Sequence, residues 1–478
     1  MIKSQMRWIT FLALLAIFTG ACTKDEAFEI ANESTTEDFR GNPSGPDNGT
    51  IENLDNTVLT EWMDLFLEIE RYAGGMRPNA SARAMAYIAL AAYETAVPGM
   101  ENYESSERTI RGLAIDNSEL SNNLNWAIAL NTSYADVMAH FLINAPSDKM
   151  EAIEVLEDNL LLGLSSGLEP EQIEASQQWG ASIASQIIAF SQSDTEAEQQ
   201  ILAPQPADYE PPTGEGYWTY AAEEERALFP YWEEVRTFVV STNETTTRPP
   251  IAYSEDPDSR YFKQMQEVND DNNAARAEDG EALWIAEFWS DDVEGLMFSP
   301  PARQFAIANQ LVEQYGLDLD ESLYLYLKLG FALNDAAVAA WKYKYEHMVM
   351  RPNVFIHEFI DPDFQTNLYR LVYWPNPSFP SYPSGHSTFA SAAAGVFIDF
   401  FGDRTNFTDL SHEGRTEFRG TPRTFTSFRQ MAEENGYSRI PLGVHMRMDC
   451  TEGLRLGYEI SDQINRFDLR RGDGRRPR

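Results

Sequence analysis

The stretch Asn79-Ala80-Ser81-Ala82-Arg83-Ala84-Met85-Ala86-Tyr87-Ile88-Ala89-Leu90-Ala91-Ala92-Tyr93 sets the architecture. Its apolar residues recur at helical spacing, and most are small. Alanine favours the helix and lets two helix axes approach closely, so this segment reads as a helix buried among others. Working outward, the same period begins at Thr57 and returns near 121–143, 147–163, 170–192, 257–274, 281–292, 301–315 and 320–347, with Gly and Pro between. Ser147 is placed as an N-cap, and Pro170, followed by Glu171, suits a first helical turn. Alternating runs are few and no repeat of fixed length occurs, so the chain is expected to be all-α, built from packed helical bundles. Residues 203–256 break the pattern with prolines and with Tyr209, Tyr217, Trp218, Tyr220, Tyr231 and Trp232. Irregular loops and short helices are expected there, covering an entrance or forming a contact in a homo-oligomer.

At the N-terminus, Lys3 and Arg7 precede the apolar run Trp8 to Phe18, and Thr19-Gly20-Ala21 lead into Cys22. The run is too short for a comfortable membrane span and reads as an export signal over 1–21. The placing of Cys22 resembles a bacterial lipoprotein site, which implies a lipid anchor there and a location in the periplasm or at the cell surface. With Cys22 lipidated, Cys450 has no intramolecular partner. Residues 22–55 are polar and acidic and read as a flexible tether. A helical domain is expected over 56–478, with an N-terminal half of about 56–300 and a C-terminal half of about 301–478. The net charge of −39 argues against nucleic acid or an anionic membrane face as partner. It also means that any anion site must be locally basic against the overall field.

Three segments of the C-terminal third gather basic residues. The first is Lys344-x6-Arg351-Pro352, closing a long helix that carries Asp335 and Trp341; Pro352 is expected to stop that helix and hold Arg351 extended. The second is Pro383-Ser384-Gly385-His386, opening the small-residue helix from Ser387 to Phe401, whose free N–H groups and dipole favour an anion. The third is Ser438-Arg439-x5-His445-x3-Asp449, with His445 and Asp449 one turn apart on the last long helix, so that Asp449 can orient His445. Such a set suits a tetrahedral oxyanion. Arg forks hold pairs of oxygens, Lys adds a point charge, one imidazole can bond to the central atom, and the other can carry a proton.

In order and spacing these motifs match the superfamily joining type-2 phosphatidic acid phosphatases, class A acid phosphatases and vanadium haloperoxidases. The chain most resembles the long vanadium haloperoxidase branch, because no later apolar run suits the spans of the membrane phosphatases. Trp341 and Phe379 stand where vanadium chloroperoxidases carry the Trp and Phe of the wall over the cofactor. The resemblance implies the vanadium chloroperoxidase type of helical bundle, with vanadate bound through His445 Nε2. Arg351, Arg439, Lys344, Ser384 and the Gly385 N–H would surround its oxygens, with His386 as acid–base and Asp449 behind His445. Hydrogen peroxide and halide would then yield a hypohalous species, with phosphate as competitor. Two alternatives stay open: an acid phosphatase acting on a phosphomonoester through His445 as nucleophile and His386 as proton donor, and a member that binds oxyanions without turnover.

The remaining residues carry less. Asp335 could pair with a site arginine or be a solvated charge; Asp449 could instead pair with Arg447. His140, His347, His357 and His412 read as structural, and His357-Glu358 with Asp361 and Asp363 reads as a solvated loop rather than a divalent-metal site.

Overall fold

The computed structural model describes residues 51, 54–220, 225–291, 293–368 and 377–472. The leader over 1–21, Cys22 and all of the tether but Ile51, Leu54 and Asp55 lie outside the described residues. The described helices are α1 (Thr57–Glu70), α2 (Asn79–Ala96), α3 (Trp126–Phe141), α4 (Ser147–Leu164), α5 (Pro170–Gln192), α6 (Thr195–Leu202), α7 (Arg260–Glu278) and α8 (Glu281–Phe288). They continue as α9 (Pro300–Tyr315), α10 (Leu319–His347), α11 (Pro352–Phe359), α12 (Gly385–Phe401), α13 (Phe428–Tyr437), α14 (Arg439–Leu442) and α15 (Arg447–Ile464). One small antiparallel pair accompanies them, Phe407–Asp409 against Arg423–Phe425, with Phe407 opposite Phe425. The architecture is all-α, as expected.

Every residue of α2 is buried, which its small side chains make possible. It packs on α3 and on the 29-residue α10. A Cβ added at Gly330 of α10 would stand 2.9 Å from the Ala86 Cα, so the two backbones meet directly. The other side of α10 packs against α12 and α15, and α12 and α15 pack on each other. The main apolar cluster accordingly runs from Ile51 to Leu469 without a break at residue 300. Within it a Phe such as Phe331 or Phe389, fully buried, contributes about 1.5–3 kcal/mol by leaving water.

Local signals explain most helix ends. Ser299 caps α9 by accepting the Ala302 N–H, Pro300 follows at the first position, and Gly316 (φ +58°) closes the helix. Pro170 and Glu171 open α5 as expected. Ser147 does not cap α4; it is the first helical residue, and Pro146 holds the cap position without a side-chain bond. Short α6 and α11 were not anticipated, being too brief to show a period. Described parts of 203–256 are irregular, with two single-turn helices at Trp232–Glu234 and Thr242–Glu244.

Candidate active site

Lys344 lies on the last turn of α10. That helix is not stopped by Pro352. Met348 ends it in the left-handed conformation (φ +51°) and bonds back to the Lys344 carbonyl. The Trp218 N–H then donates to the Met348 carbonyl at 2.6 Å, and an isolated bridge pairs Tyr217 with Val349, so the chain leaves the helix pinned and extended. Arg351 follows in the expected extended conformation (φ −74°, ψ 147°), and Pro352 opens α11. The Lys344 ammonium is fully buried and donates to the carbonyls of Pro380, Ser381 and Pro383 at 3.1, 3.0 and 2.5 Å. Burial, then the Arg351 charge, pushes it well below the usual lysine range. Three carbonyls match the three N–H bonds of an ammonium, and an anion nearby would raise the group again. To reach such an anion Lys344 must release one carbonyl.

Ser384 caps α12, its hydroxyl oxygen accepting the Ser387 N–H at 3.3 Å, which leaves the hydroxyl proton to donate elsewhere. The Ser384 N–H donates to the Asp449 carbonyl at 3.0 Å, tying this helix start to α15. A Cβ at Gly453 of α15 would come 2.5 Å from the Ser384 carbonyl oxygen, so only glycine permits the approach. A Cβ at Gly385 would lie 3.3 Å from Trp341 Cζ3; the helix start faces the indole at close range. His386 Nε2 lies 3.1 Å from the Ser290 carbonyl, which can only accept, so Nε2 carries a proton.

The third segment is built by the four-residue α14, which ends at Gly443 in the left-handed conformation (φ +94°). Arg439 Nη1 donates to the carbonyls of Trp289 and Ser290 at 3.0 and 3.2 Å. His445 is not on the last long helix as expected; α15 starts at Arg447, with Met446 at its cap. Asp449, in its first turn, reaches back instead. Its Oδ2 accepts the Met446 N–H at 3.0 Å, His445 Nδ1–H at 3.1 Å and the Ser381 hydroxyl at 2.6 Å. His445 Nε2 therefore holds the lone pair, and Arg351 Nη1 donates to it at 3.2 Å while also bonding the Val444 carbonyl at 3.0 Å. Burial, then the charges of Arg351, Lys344 and Arg439, holds the imidazole far below its ordinary value, so it is neutral. Burial lifts Asp449 to about 6 against the Ser381 and Met446 bonds that favour the carboxylate.

Over the cluster stands an apolar wall. The Trp341 and Phe379 ring centroids are 4.8 Å apart, and Lys344 Nζ lies 5.6 and 5.1 Å from them. Arg351 lies 4.9 Å from the Phe379 ring. The Leu228 carbonyl accepts the Trp341 indole N–H at 3.2 Å and the Tyr345 hydroxyl at 2.8 Å, and the Leu228 N–H donates to Ser378 at 2.9 Å. The irregular 203–256 segment thus braces this wall.

All ten residues singled out in the sequence fall into one connected group, linked through the contacts above: Lys344, Arg351, Ser384, Gly385, His386, Arg439, His445, Asp449, Trp341 and Phe379. Sequence reasoning missed Ser381 and the Trp289 and Ser290 carbonyls. Ser381 had one available signal: it lies two residues from Phe379 in an extended stretch, hence on the same side of the chain. Asp335 neither meets a site arginine nor faces solvent; its buried carboxylate accepts the N–H groups of Phe238, Val239 and Val240 at 2.8, 2.9 and 2.8 Å. Arg447 pairs with Glu267 rather than Asp449. His347 bonds Thr247 and His357 bonds the Phe364 carbonyl; His412 is buried beside Arg303.

The donor set fits an oxyanion. Lys344, Arg351 and Arg439 are buried, and the charges of all three act on His445. Several buried cationic and hydroxyl donors gathered around one imidazole suit the oxygens of an anionic guest. Among the described residues no group of His, Cys, Asp and Glu is arranged to hold a metal cation, and no helix is long and apolar enough to cross a membrane.

Residues 324–471 match the family model of the VCPO second helical-bundle domain. The vanadium chloroperoxidase of Curvularia inaequalis is 23% identical over a match covering 34% of this chain and 35% of that protein, so only about a third of that relative's length is spanned. A bacterial vanadium-dependent iodoperoxidase structure superposes with a TM-score of 0.75 at 26% identity, covering 87% of this chain and 97% of its own. A holo-type bacterial vanadium-dependent chloroperoxidase superposes with a TM-score of 0.63 over 84% of this chain and 93% of its own. At its 17% identity that likeness is one of fold.

Proposed function

Since the chain is a relative of the vanadium-dependent haloperoxidases, we propose that it is itself such an enzyme, oxidising halide with hydrogen peroxide on a vanadate held at His445. The observation that carries this reading is a neutral, buried imidazole set among the cationic groups of Arg351, Lys344 and Arg439, with Arg351 Nη1 against its Nε2. When bound, vanadate supplies Lewis-acid activation of peroxide without a change of oxidation state.

The chain's own residues do the rest. Arg351 and Arg439 present planar forks to the oxygens. The Ser384 hydroxyl and the Gly385 N–H add donors at the start of α12, where the helix dipole favours negative charge. Asp449 fixes the Nδ1–H tautomer of His445 and so keeps Nε2 as the ligating atom. His386, with its Nε2 proton donated to the Ser290 carbonyl, is the acid–base group of the site. Trp341 and Phe379 exclude water from one side and strengthen every charge interaction inside. Lys344 contributes its charge through the short reach left to it by three carbonyls.

The test is an assay of apo and orthovanadate-loaded protein for oxidation of iodide, bromide and chloride, run beside p-nitrophenyl phosphate hydrolysis. Halide oxidation that requires vanadate and peroxide and is suppressed by phosphate is expected, and His445→Ala should abolish it. Phosphomonoester turnover without halide oxidation would replace this reading by the phosphatase. Oxyanion binding with neither activity would replace it by a binding protein. Export and lipidation at Cys22 complete the proposal and place the reaction outside the cytoplasm.

A further inference from the structure

His386 and Arg439 lean on two consecutive carbonyls. Trp289 and Ser290 follow α8 directly and precede Asp291. The direction of both site residues depends on how that short backbone is held.

It is held by a side chain that touches no part of the cradle. Arg303, on α9, is fully buried. Its Nη2 donates to the Phe288 carbonyl at 3.2 Å, and its Nη1 lies 3.6 Å from Asp291 Oδ1. One guanidinium thus grips both ends of the segment whose middle carbonyls serve the site. The same guanidinium lies over the Phe288 and Trp289 rings, 4.5 and 4.9 Å from their centroids. Behind it, Asp409 approaches Nε at 3.3 Å and His412 contacts Nη1. Asp409 is in turn fixed by the Ser411 hydroxyl and N–H. Asp291 itself is left-handed (φ +44°), a conformation uncommon outside glycine that aspartate adopts more readily than most residues. From the opposite side Arg77 donates to the Asp291 carbonyl at 3.0 Å.

We propose that Arg303 is a positioning residue of the oxyanion site: it sets the Phe288–Asp291 backbone, and through the Trp289 and Ser290 carbonyls it fixes the tautomer of His386 and the aim of Arg439. A buried arginine with two carboxylates could simply hold α9 to its neighbours. The difference lies in where the fork points. A merely structural pair has no need to bracket the one segment on which two site residues rest. The inference rests on the reading of His386 and Arg439 as groups that meet an oxyanion.

The experiment uses the full chain without vanadate. Arg303→Lys keeps a charge beside Asp409 but loses the fork that reaches Phe288 and Asp291 together. Asp291→Asn leaves Arg303 in place and removes the charge that draws the turn back; it carries the same test should the lysine variant not fold. Protein labelled with nitrogen-15 at its six histidines reports the His386 tautomer. Calorimetry reports the dissociation constant for inorganic phosphate, and a thermal melt confirms that each variant is folded. Wild-type protein is expected to show His386 protonated at Nε2 and to bind phosphate. A folded variant is expected to lose the single tautomer and to bind phosphate about tenfold more weakly, the scale of one charge-assisted bond misaligned. A folded variant with the wild-type tautomer and affinity overturns the proposal. Wild-type protein that binds no phosphate overturns instead the reading of the cradle on which it stands.

Discussion

Replacing Ser381 by alanine removes one oxygen atom and leaves a fold that has no other reason to change. In the native chain the Ser381 hydroxyl gives Asp449 its shortest bond, 2.6 Å to Oδ2. A hydrogen bond to a charged group contributes about 1.5–3 kcal/mol. Here it favours the ionised carboxylate, so its loss moves the Asp449 midpoint upward from about 6 by about one to two pH units. The sign follows directly. Above its midpoint Asp449 is a carboxylate and accepts the His445 Nδ1 proton; below it that role is lost, and the Nε2 lone pair is no longer secured. Ser381→Ala should therefore bind orthovanadate or phosphate about tenfold or more weakly near neutral pH, where wild-type Asp449 is ionised and the variant's is protonated. The deficit should shrink at alkaline pH. Titration calorimetry from acid to alkaline pH measures this, and Ser381→Thr, which restores a hydroxyl, should recover most of it. Superimposable binding curves for the wild-type and alanine proteins would refute the reasoning.

Other outcomes follow from separate contacts. Asp335→Ala strips three buried N–H groups of their acceptor, and at about 1–3 kcal/mol for each unsatisfied group chemical denaturation should show a loss of about 3 kcal/mol or more. Burial raises Asp335 to about 6, so the folded chain holds that proton more firmly than the unfolded chain. Its contribution to stability should be largest below about pH 4 and decline as pH rises to about 6; Asp335→Asn should flatten that slope in melts across the window. Gly453→Ala drives a methyl group against the Ser384 carbonyl and should cost about 1–3 kcal/mol while weakening phosphate binding more than a distant variant of equal stability. Gly385→Ala must push Trp341 aside by a few tenths of an ångström and should alter halide turnover with little change in melting temperature. Cys22→Ala should release the exported protein from the membrane fraction into the soluble one, seen by fractionation.

The parts of the site legible in the sequence are those where residue type itself carries the chemistry. Arg, Lys and His at fixed spacing, with a small-residue helix after Pro-Ser-Gly-His, point to an oxyanion cradle before any fold is known. The acceptors that aim them are backbone carbonyls, at Pro380, Ser381, Pro383, Trp289, Ser290 and Val444, and a carbonyl leaves no mark on the sequence. Local geometry is less legible in the sequence for a related reason. His445 and Asp449 are four apart, which suits one helical face, yet Asp449 turns back to cap a helix that has not begun at His445. Both arrangements bring the two side chains together. Pro352 looked like a stop because proline excludes a helix before it; the chain had already stopped at Met348, whose left-handed backbone is chosen by the 214–218 segment packed on it. For the fold, the long periodic helices α2, α5 and α10 were clear. Short α6, α11 and α14 are held by tertiary contacts rather than by a period of their own.

The bond from Arg351 to His445 Nε2 also sorts what can enter. A neutral imidazole is a common ligand for zinc, copper or nickel ions. At this imidazole the coordinating electron pair sits under a guanidinium, with two further cations close behind. A divalent ion approaching it meets like charge at the guanidinium, whereas an anion meets opposite charge. On the proposed function, the sign of charge would sort metals offered as cations from a metal offered as an oxyanion.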